Sequence, residues 1–272
     1  MDTKNTDMNM LVDRYPEIED YARQYGLPIQ KKRAIIREFL QMQFLDSLYR
    51  VSSSAGLAFV GGTSLRIIRG INRFSEDLDF DRTNISIEGM NTLVESVVGE
   101  LRQTGIALNL YKNKTNTNTF FELRYPDILK ELEISTNQTE KLAIKLDNAP
   151  LWKGEKTETL LVSRFGYLQH IVTIPLAQIL VQKILAYVSR RQTMARDIYD
   201  ICWLRLQGVV PDYPFLFMNA KKTILQDALD KFQKEVNVLK KQKERLAPFL
   251  LDESKVVMLD MFVDLMRALK QK

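Results

Sequence analysis

An apolar run that ends in two glycines, followed shortly by alternating aspartates, constrains the fold of this chain more than any other feature. Leu57-Ala58-Phe59-Val60 leads into Gly61-Gly62-Thr63-Ser64, after which Leu65 to Arg69 has a helical pattern. Asp77-Leu78-Asp79-Phe80-Asp81 alternates charged and apolar residues, which is the period of a half-buried strand. A strand, a glycine turn, a helix and a second strand in this order predict an α/β fold.

The glycine turn indicates a place where the backbone approaches a ligand. Glycine has no Cβ, so Gly61 and Gly62 allow a close approach at which another residue would collide. The helix that follows presents free N–H groups and a dipole that suit a phosphate. The hydroxyl groups of Thr63 and Ser64 are placed to add hydrogen bonds to it.

The alternating aspartates indicate a cation site. Alternate strand positions put Asp77 and Asp79 on one face, with their Cα atoms roughly 6–7 Å apart. Two such carboxylates can hold magnesium ions that bridge phosphate oxygens. Arg66 and Arg73 are close in sequence and are candidates to neutralise a triphosphate. Either motif alone is common, but the two together in this order are far more specific.

Rare residue types exclude several kinds of site. The chain has one cysteine, Cys202, and one histidine, His170. An intramolecular disulfide and a zinc site of several cysteines or histidines are therefore excluded. We expect the chemistry to depend on carboxylates, lysine and hydroxyl groups. The net charge of +5 permits a polyanionic partner without demanding one.

Hydropathy argues against a membrane partner. The longest uncharged stretch, Phe165 to Gln182, is interrupted by polar residues, and the first twenty residues are acidic and polar, unlike a signal peptide. We therefore expect a cytoplasmic protein.

The pattern along the chain predicts three parts. Residues 1–30 are expected to form a loose acidic arm, residues 31–170 a core domain with a mixed β-sheet flanked by helices, and residues 171–272 a C-terminal helical domain. Helices are predicted from Lys31 to the serines at 52–54, from Ile87 to Thr104, and from Leu176 onward. Strands are predicted at 57–60, 77–81, 107–111, 119–125, 142–146 and 171–174.

One late segment allows two interpretations. Apolar residues between Lys221 and Ala247 recur at alternating steps of four and three. We favour one ordinary bundle helix packed on its own domain over a coiled-coil seam. The many lysines and arginines of this basic helix could also contact RNA.

These motifs resemble a known family. Gly-Gly-Thr-Ser followed by Asp-Leu-Asp is similar to the nucleotidyltransferase pattern of the DNA polymerase β superfamily. The fuller string GGTSLRIIRGINRFSEDLDFD resembles the AbiEii/AbiGii-type toxin nucleotidyltransferases of bacterial abortive-infection and type IV toxin–antitoxin systems. Pro175 to Ala186 and Arg196 to Ile201 look like that family's helical lysine and Arg-Asp-x-x-Asp motifs. The resemblance covers about residues 31–205, and it implies a nucleotidyltransferase core.

The resemblance implies roles for the first group of residues. Asp77 and Asp79 would be the magnesium ligands, and the segment Gly61–Ser64 would line the triphosphate. A later strand would supply a further carboxylate, for which Asp147 is the first candidate and Glu133 the second.

The helical motifs supply the remaining candidates. Lys183 would contact a nucleotide phosphate, and Asp197 would complete the nucleotide site. Asp200 is the alternative to Asp197, because the two are spaced i, i+3 and could face the same side. Without the resemblance, Lys183 would be interpreted as a surface lysine, and Arg196 with Asp200 as an ion pair within a helix.

Ser75 is a candidate regulatory residue. It lies two residues before Asp77, so on an extended chain its hydroxyl would point toward the metal ligands. In toxins that look like this chain, a hydroxyl near this position can be the one that the antitoxin modifies. Phosphorylation there would add about two negative charges and block nucleotide binding.

The resemblance implies an enzyme that uses Mg²⁺ to transfer a nucleotide from a nucleoside triphosphate to a hydroxyl group. RNA, and transfer RNA first, is the expected acceptor, and a cognate antitoxin is the expected partner. The alternatives are nucleotidylation of a protein or small molecule, and a non-catalytic module that binds nucleotide or RNA. The intact Asp-x-Asp pair argues against the non-catalytic module.

Overall fold

Strands from the first half of the chain form a five-stranded mixed sheet. The bounds are β1 Leu57–Val60, β2 Leu78–Arg82, β3 Asn109–Lys114, β4 Thr119–Tyr125 and β5 Leu142–Pro150. In this computed structural model, which describes residues 10–114, 119–137 and 139–269, the order is β1-β2-β5-β4-β3. β2 is parallel to β5, whereas β4 is antiparallel to both β5 and β3. The predicted α/β fold with a mixed sheet is confirmed.

Among the described residues, six α-helices belong to the same half of the chain as the sheet. They are α1 Met10–Asp13, α2 Tyr15–Gln24, α3 Lys32–Arg50, α4 Gly61–Ile67, α5 Ile87–Gln103 and α6 Ile128–Glu131. α3 packs on both α5 and β5. The apolar stripe predicted for α5 is buried: Met90, Leu93, Val94, Val97, Val98 and Leu101. Its first turn is fixed by Ser86, whose hydroxyl oxygen accepts a hydrogen bond of 3.0 Å from the Gly89 N–H.

Further helices follow in the C-terminal part. They are α7 Leu176–Ser189, α8 Ala195–Leu206, α9 Tyr213–Asn219, α10 Ile224–Lys234, α11 Val236–Leu246 and α12 Phe262–Arg267. α8 is the most enclosed of them, since every residue from Ile198 to Leu204 is buried. None of the helices in the described ranges combines the length and the apolar composition that crossing a bilayer requires.

The chain divides into two units that interleave along the sequence. The first unit contains residues 1–59, 75–150 and 159–172, and the second contains residues 60–74, 151–158 and 173–272. The last of the crossings between the units follows Val172. The segments 60–74 and 151–158 nevertheless group with the C-terminal helices, although their sequence positions place them inside the predicted core domain.

The N-terminal arm departs from its prediction over the residues that are described. Residues 1–9 lie outside the described part, but the next fifteen form α1 and α2 rather than a loose segment. Leu11, Ile18, Ala22 and Leu27 are buried. Burying these apolar side chains offsets the entropy lost when the segment becomes ordered.

A two-stranded hairpin is only partly anticipated. β6 Glu158–Arg164 and β7 Tyr167–Thr173 pair with each other, through a turn in which Phe165 and Gly166 have φ values of +50° and +79°. The sequence predicts only the end of β7. β6 was missed because two adjacent leucines interrupt the alternation, and one of them, Leu161, is 57% exposed.

The basic helix predicted for residues 221–247 is two helices. α10 ends and α11 begins at Glu235, whose φ and ψ values are −103° and 6°. The Glu235 carboxylate accepts a hydrogen bond from the Thr193 hydroxyl. Leu225, Leu229, Phe232, Leu239 and Leu246 are buried within the chain, which is the environment expected of bundle helices.

Candidate functional site

Three aspartates lie together on strands β2 and β5. The parallel register pairs Asp79 with Asp147, and residues paired in this way project to the same face of a sheet. Asp77 comes directly before β2, two residues from Asp79, so it shares that face. All three are half-buried, whereas Leu78 and Phe80 between them are buried on the other side. The first unit thus collects three carboxylates on one strand face.

Asp147 is harder to ionise than an ordinary aspartate. Burial, and after it the negative charge of Asp77, raises the pKa of Asp147, while the positive charge of Lys145 acts in the opposite direction. The effect of Asp77 means that these two carboxylates are close. Clustered carboxylates with a raised pKa are typical of sites that bind cations or transfer protons.

Glu133, the second candidate for the further carboxylate, lies elsewhere. It is exposed and follows α6 in a turn, with a φ of +53°. Of the two candidates, Asp147 is therefore the one beside Asp79.

Helix α3 holds the segment that leads into β2. The Gln41 side-chain amide donates hydrogen bonds to the carbonyl oxygens of Ser75 and Glu76, at 3.2 and 2.9 Å. One turn earlier, Arg37 pairs with the Glu76 carboxylate at 2.6 Å. Gln41 is 1% exposed, so these bonds are shielded from water. The backbone just before Asp77 is thereby fixed at two successive residues.

Gln41 and Arg37 were not among the candidates from the sequence. The available signal was a glutamine within the apolar stretch of α3, spaced i, i+4 from an arginine. Ser75, the predicted regulatory residue, is half-buried and belongs to the segment that these two side chains hold.

The glycine turn belongs to the second unit. Gly61 begins α4 directly after β1 and has a φ of +77°, a conformation that favours glycine. The Ser64 hydroxyl donates a 3.0 Å hydrogen bond to the Gly61 carbonyl oxygen. Gly62, Thr63 and Ser64 are buried. The hydroxyl of Ser64 therefore closes the first turn of α4 in this structure.

Both candidate arginines are buried in the second unit. Arg66 donates a 2.8 Å hydrogen bond to the Ile71 carbonyl oxygen, and its guanidinium lies 5.6 Å from the centroid of the Phe74 ring. Arg73 donates two hydrogen bonds to Asp200, from Nε at 2.6 Å and from Nη2 at 2.7 Å. Each arginine is 2% exposed. Their direct contact with a triphosphate stays a prediction.

Asp200 links Arg73 to Lys183. The Lys183 ammonium lies 2.8 Å from the Asp200 carboxylate, and Asp200 is fully buried. Burial alone would raise the pKa of Asp200, but the positive charges of Arg73 and Lys183 outweigh it, so that the pKa is lowered. Asp200 is therefore charged, and it fixes the position of the lysine that is predicted to contact phosphate.

Asp197 has a different partner from Asp200, although the two lie one turn apart on α8. Its carboxylate is 2.9 Å from Nε of Arg190, without the alignment of a hydrogen bond. Asp197 is 2% exposed, whereas the Arg190 side chain is 43% exposed. Of the two aspartates, Asp200 is the one that contacts Lys183.

The donor set can be compared with the needs of a metal ion. Among the described residues, no group of three or more His, Cys, Asp or Glu side chains is arranged to hold a metal by itself. Magnesium is commonly bound by one or two carboxylates together with substrate phosphates and water, rather than by a cage made only of protein groups. Asp77 and Asp79 fit that mode of binding.

The two rarest residues lie outside these clusters. Cys202 is buried, and burial raises the pKa of its thiol to about 12, so it is not a reactive nucleophile. His170 is exposed on β7 rather than buried in the core. Several residues around it are apolar, but alternate residues of this strand face solvent.

Comparison with solved structures supports the fold. The structure of JHP933 from Helicobacter pylori has a TM-score of 0.52 and 19% sequence identity to this chain, and the match covers 88% of this chain and 94% of that one. A second H. pylori structure, provisionally assigned as a nucleotidyltransferase, has a TM-score of 0.53 and 21% identity, with 88% and 96% covered. A search of curated proteins found no match.

A family model matches most of the chain. The model describes the nucleotidyl transferase AbiEii toxin of type IV toxin–antitoxin systems, and the match covers residues 43–267. These residues include the three clustered aspartates, the glycine turn, Lys183 and Asp200. The chain therefore belongs to the AbiEii nucleotidyl transferase toxin family and is a nucleotidyltransferase.

Proposed function

We propose that this protein transfers a nucleotide from a nucleoside triphosphate to a hydroxyl group on RNA, with transfer RNA as the first candidate acceptor. The family implies a nucleoside triphosphate as substrate and an antitoxin as partner. The observation that carries the proposal is the common strand face of Asp77, Asp79 and Asp147. An RNA acceptor in turn implies that the reaction takes place in the cytoplasm.

The aspartates at the start of β2 would be the metal ligands. Nucleotidyltransferases generally use a divalent metal ion, and oxygen ligands are those that Mg²⁺ prefers. Asp77 and Asp79 would bind Mg²⁺, which when bound would neutralise charge on the phosphate oxygens. Gln41 and Arg37 would maintain the position of Asp77 through the segment they hold.

Asp147 would accept the proton of the acceptor hydroxyl. Its raised pKa makes it a stronger base than an ordinary aspartate. As the proton leaves, the hydroxyl oxygen forms a bond to the α-phosphorus of the triphosphate. The bond from that phosphorus to the bridging oxygen of the β-phosphate breaks, and the electron pair leaves with pyrophosphate.

Residues of the second unit would bind the phosphates. Lys183 would donate to a phosphate oxygen, and Asp200 would orient its ammonium. Gly61 and Gly62 would allow the triphosphate to approach the backbone. The glycine turn and the segment after it would keep their conformation through buried side chains: Thr63, Ser64, Arg66 and Arg73. Asp197 would stabilise α8 through its ion pair with Arg190.

Transfer assays test the proposal. The full chain is incubated with each α-³²P-labelled nucleoside triphosphate, Mg²⁺, and either total RNA or cell lysate. We expect label in RNA, and none with Asp77→Ala or Asp79→Ala. Asp264→Ala removes an exposed aspartate of α12 and is the matched control, which should retain activity.

Other outcomes have defined meanings. Label in protein or in a small molecule would replace RNA with that acceptor. Binding of nucleotide without transfer would identify a non-catalytic module. An Asp79→Ala protein with full activity would contradict the assigned metal ligands.

Ser75 would be the residue through which the antitoxin acts. It is half-buried and belongs to the segment whose carbonyl oxygens bind Gln41. A phosphate group there would add about two negative charges close to Asp77 and repel a triphosphate.

Intact-mass measurement after co-expression with the cognate antitoxin tests this regulation. We expect a mass increase that Ser75→Ala abolishes. An unmodified wild-type chain in inactive cell extracts would contradict the role of Ser75.

A further inference from the structure

Aromatic and cationic side chains lie on the same strand face as Asp147. The register pairs Tyr111 with Glu122, and Glu122 with Lys145. Asp147 is two residues beyond Lys145 on β5. Since paired residues, and residues two apart on a strand, share a face, all four project from the same side of the sheet.

The sheet face that carries Asp147 also exposes two aromatic rings, those of Tyr111 and Phe120. Along β4, Phe121, Leu123 and Tyr125 are buried, whereas Phe120 alternates with them and is 37% exposed. Tyr111 on β3 is 44% exposed. Together with Arg124, Lys145 and Asp147, these rings line a cavity of about 350 Å³. Burial of these rings by a ligand would be favourable, because exposed aromatic surface is costly in water.

An arginine is already stacked on one of the rings. The Arg124 guanidinium lies 3.9 Å from the centroid of the Tyr111 ring. A 2.7 Å ion pair with Glu122 holds it there. Two flat groups are thereby ordered one above the other, and ordering before binding reduces the entropy lost when a third flat group is added.

Exposed aromatic rings and a guanidinium group on a sheet face can stack on nucleobases. Proteins bind unpaired RNA bases by stacking them on aromatic rings and guanidinium planes, and sheet faces in some RNA-binding proteins stack two or three bases in this way. Adjacent strands lie about 4.8 Å apart, so Tyr111 on β3 is roughly 10 Å from the strand that carries Asp147. Lys145 lies on β5, two residues before Asp147, and can pair with a phosphate.

We propose that this face binds the single-stranded 3′ end of the acceptor RNA, with its last bases stacked on Phe120 and on the Tyr111–Arg124 pair. The terminal hydroxyl is then delivered to Asp147. This inference rests on the proposed function, because it concerns the acceptor of that reaction. The base of the incoming nucleoside triphosphate has the same stacking chemistry, so the experiment separates the two sources.

The test uses the full chain and a short single-stranded RNA that has a free 3′ hydroxyl and 2-aminopurine as its last base. Stacking quenches the fluorescence of 2-aminopurine. A second copy of this RNA, with fluorescein at its 5′ end, reports the dissociation constant by anisotropy. Transfer kinetics with the same RNA give separate KM values for RNA and for the nucleoside triphosphate.

We expect wild-type protein to quench 2-aminopurine. Phe120→Ala and Tyr111→Ala should each weaken RNA binding about 5-fold to 100-fold, which is the range for the loss of one stacked base. They should raise the KM for RNA without changing the KM for the nucleoside triphosphate. Phe120→Trp should bind as wild type does. Phe217→Ala, which removes a 47% exposed ring of α9, is the matched control.

The outcomes separate this inference from the proposed function. RNA binding that depends on Phe120, without any transfer of label to RNA, supports the face and contradicts the proposed function. Transfer to RNA with an unchanged KM in both alanine variants supports the function and overturns the face. A raised KM for the nucleoside triphosphate alone also overturns the proposal, since it assigns the rings to the incoming nucleotide. Melting temperatures within the error of wild type show that the variants are folded.

Discussion

Asp147 is held in surroundings that disfavour its charge. Partial burial and then the nearby charge of Asp77 raise its pKa. The folded chain therefore binds a proton at Asp147 more tightly than the unfolded chain does. The contribution of this group to the free energy of unfolding is largest below the ordinary pKa of aspartate, and it is lost as the pH rises through the raised pKa. At neutral pH the charged Asp147 therefore lowers the free energy of unfolding. The same charged form is the one that the proposed reaction needs as a base.

Asp147→Asn should separate activity from stability. We expect a 100-fold to 10,000-fold loss of kcat, the range for removal of a general base. The same variant should melt at a higher temperature than wild type at pH 8, because the neutral amide avoids the repulsion. This difference should shrink as the pH is lowered from 8 and Asp147 itself becomes protonated.

Scanning calorimetry across that pH range, combined with the transfer assay, measures both effects. A melting temperature below that of wild type at pH 8 would contradict the account of Asp147. Asp264→Asn, at an exposed position, is the control for the loss of one negative charge.

Three elements of the second unit meet at one buried carboxylate. Arg73 comes from the segment after α4, Lys183 from α7 and Asp200 from α8. The pairing is fully desolvated at Asp200. Removing the Asp200 carboxylate would leave the charges of Arg73 and Lys183 without their shared partner, which is why these elements depend on one another.

Asp200→Ala should lower the free energy of unfolding by about 3–5 kcal/mol, measured by urea denaturation. Lys183→Met should cost less, because the two hydrogen bonds between Arg73 and Asp200 remain, yet it should abolish transfer if the ammonium contacts phosphate. Lys243→Ala breaks an ion pair with the exposed Asp260 and should cost about 0–1 kcal/mol. Equal destabilisation by Asp200→Ala and Lys243→Ala would show that the buried group does not join these elements.

Helix α3 holds the segment that leads to Asp77 through the side chain of Gln41. Gln41→Leu removes the donor for two carbonyl oxygens ahead of Asp77 while keeping an apolar side chain of similar size. We expect kcat to fall about 10-fold or more, because small displacements of reacting groups are costly, whereas the dissociation constant for RNA should not change. Leu40→Met, on the buried side of the same helix, is the packing control, and equal kcat values for the two variants would rule out positioning by Gln41.

Elements with a regular apolar period were predictable, and those fixed by distant contacts were not. The stripe of α5 and the alternation in β2 are visible in the sequence because burial imposes a local period. The break at Glu235 and the start of β6 depend on residues far along the chain, such as Thr193. Within the candidate site, motif order made Asp77 and Asp79 candidates, and the family resemblance added Lys183. The register of β2 and β5 was needed to distinguish Asp147 from Glu133, and Gln41 became a candidate only through its contacts.

The chain forms two units, and each unit is made of three segments that alternate along the sequence. The chain passes between them after Phe59, Phe74, Pro150, Glu158 and Val172. The glycine turn and Arg73 consequently lie early in the sequence but belong with the late helices. The sequence pattern changes to a helical one near residue 170. A cut at that point would not separate the two units, because residues 60–74 and 151–158 group with the C-terminal helices.

A chain ending at Val172 should not fold cooperatively. It would contain residues 60–74 without the helices of their unit, and Arg73 would lose the partner it has in Asp200. We expect a broad urea transition and weak near-ultraviolet circular dichroism, compared with a sharp transition for the full chain. A sharp transition in the fragment would contradict the interleaved organisation.

The five crossings also limit how this protein can diversify. Exchange of an entire unit between related genes would require several junctions to be preserved at once. Strands β3 and β4 are different, because they follow each other in sequence within one unit and carry Tyr111, Phe120 and Arg124. If this face binds the acceptor as proposed, substitutions within these two strands would change which acceptor is selected, while the aspartates on β2 and β5 and the buried Arg73–Asp200–Lys183 group are left intact.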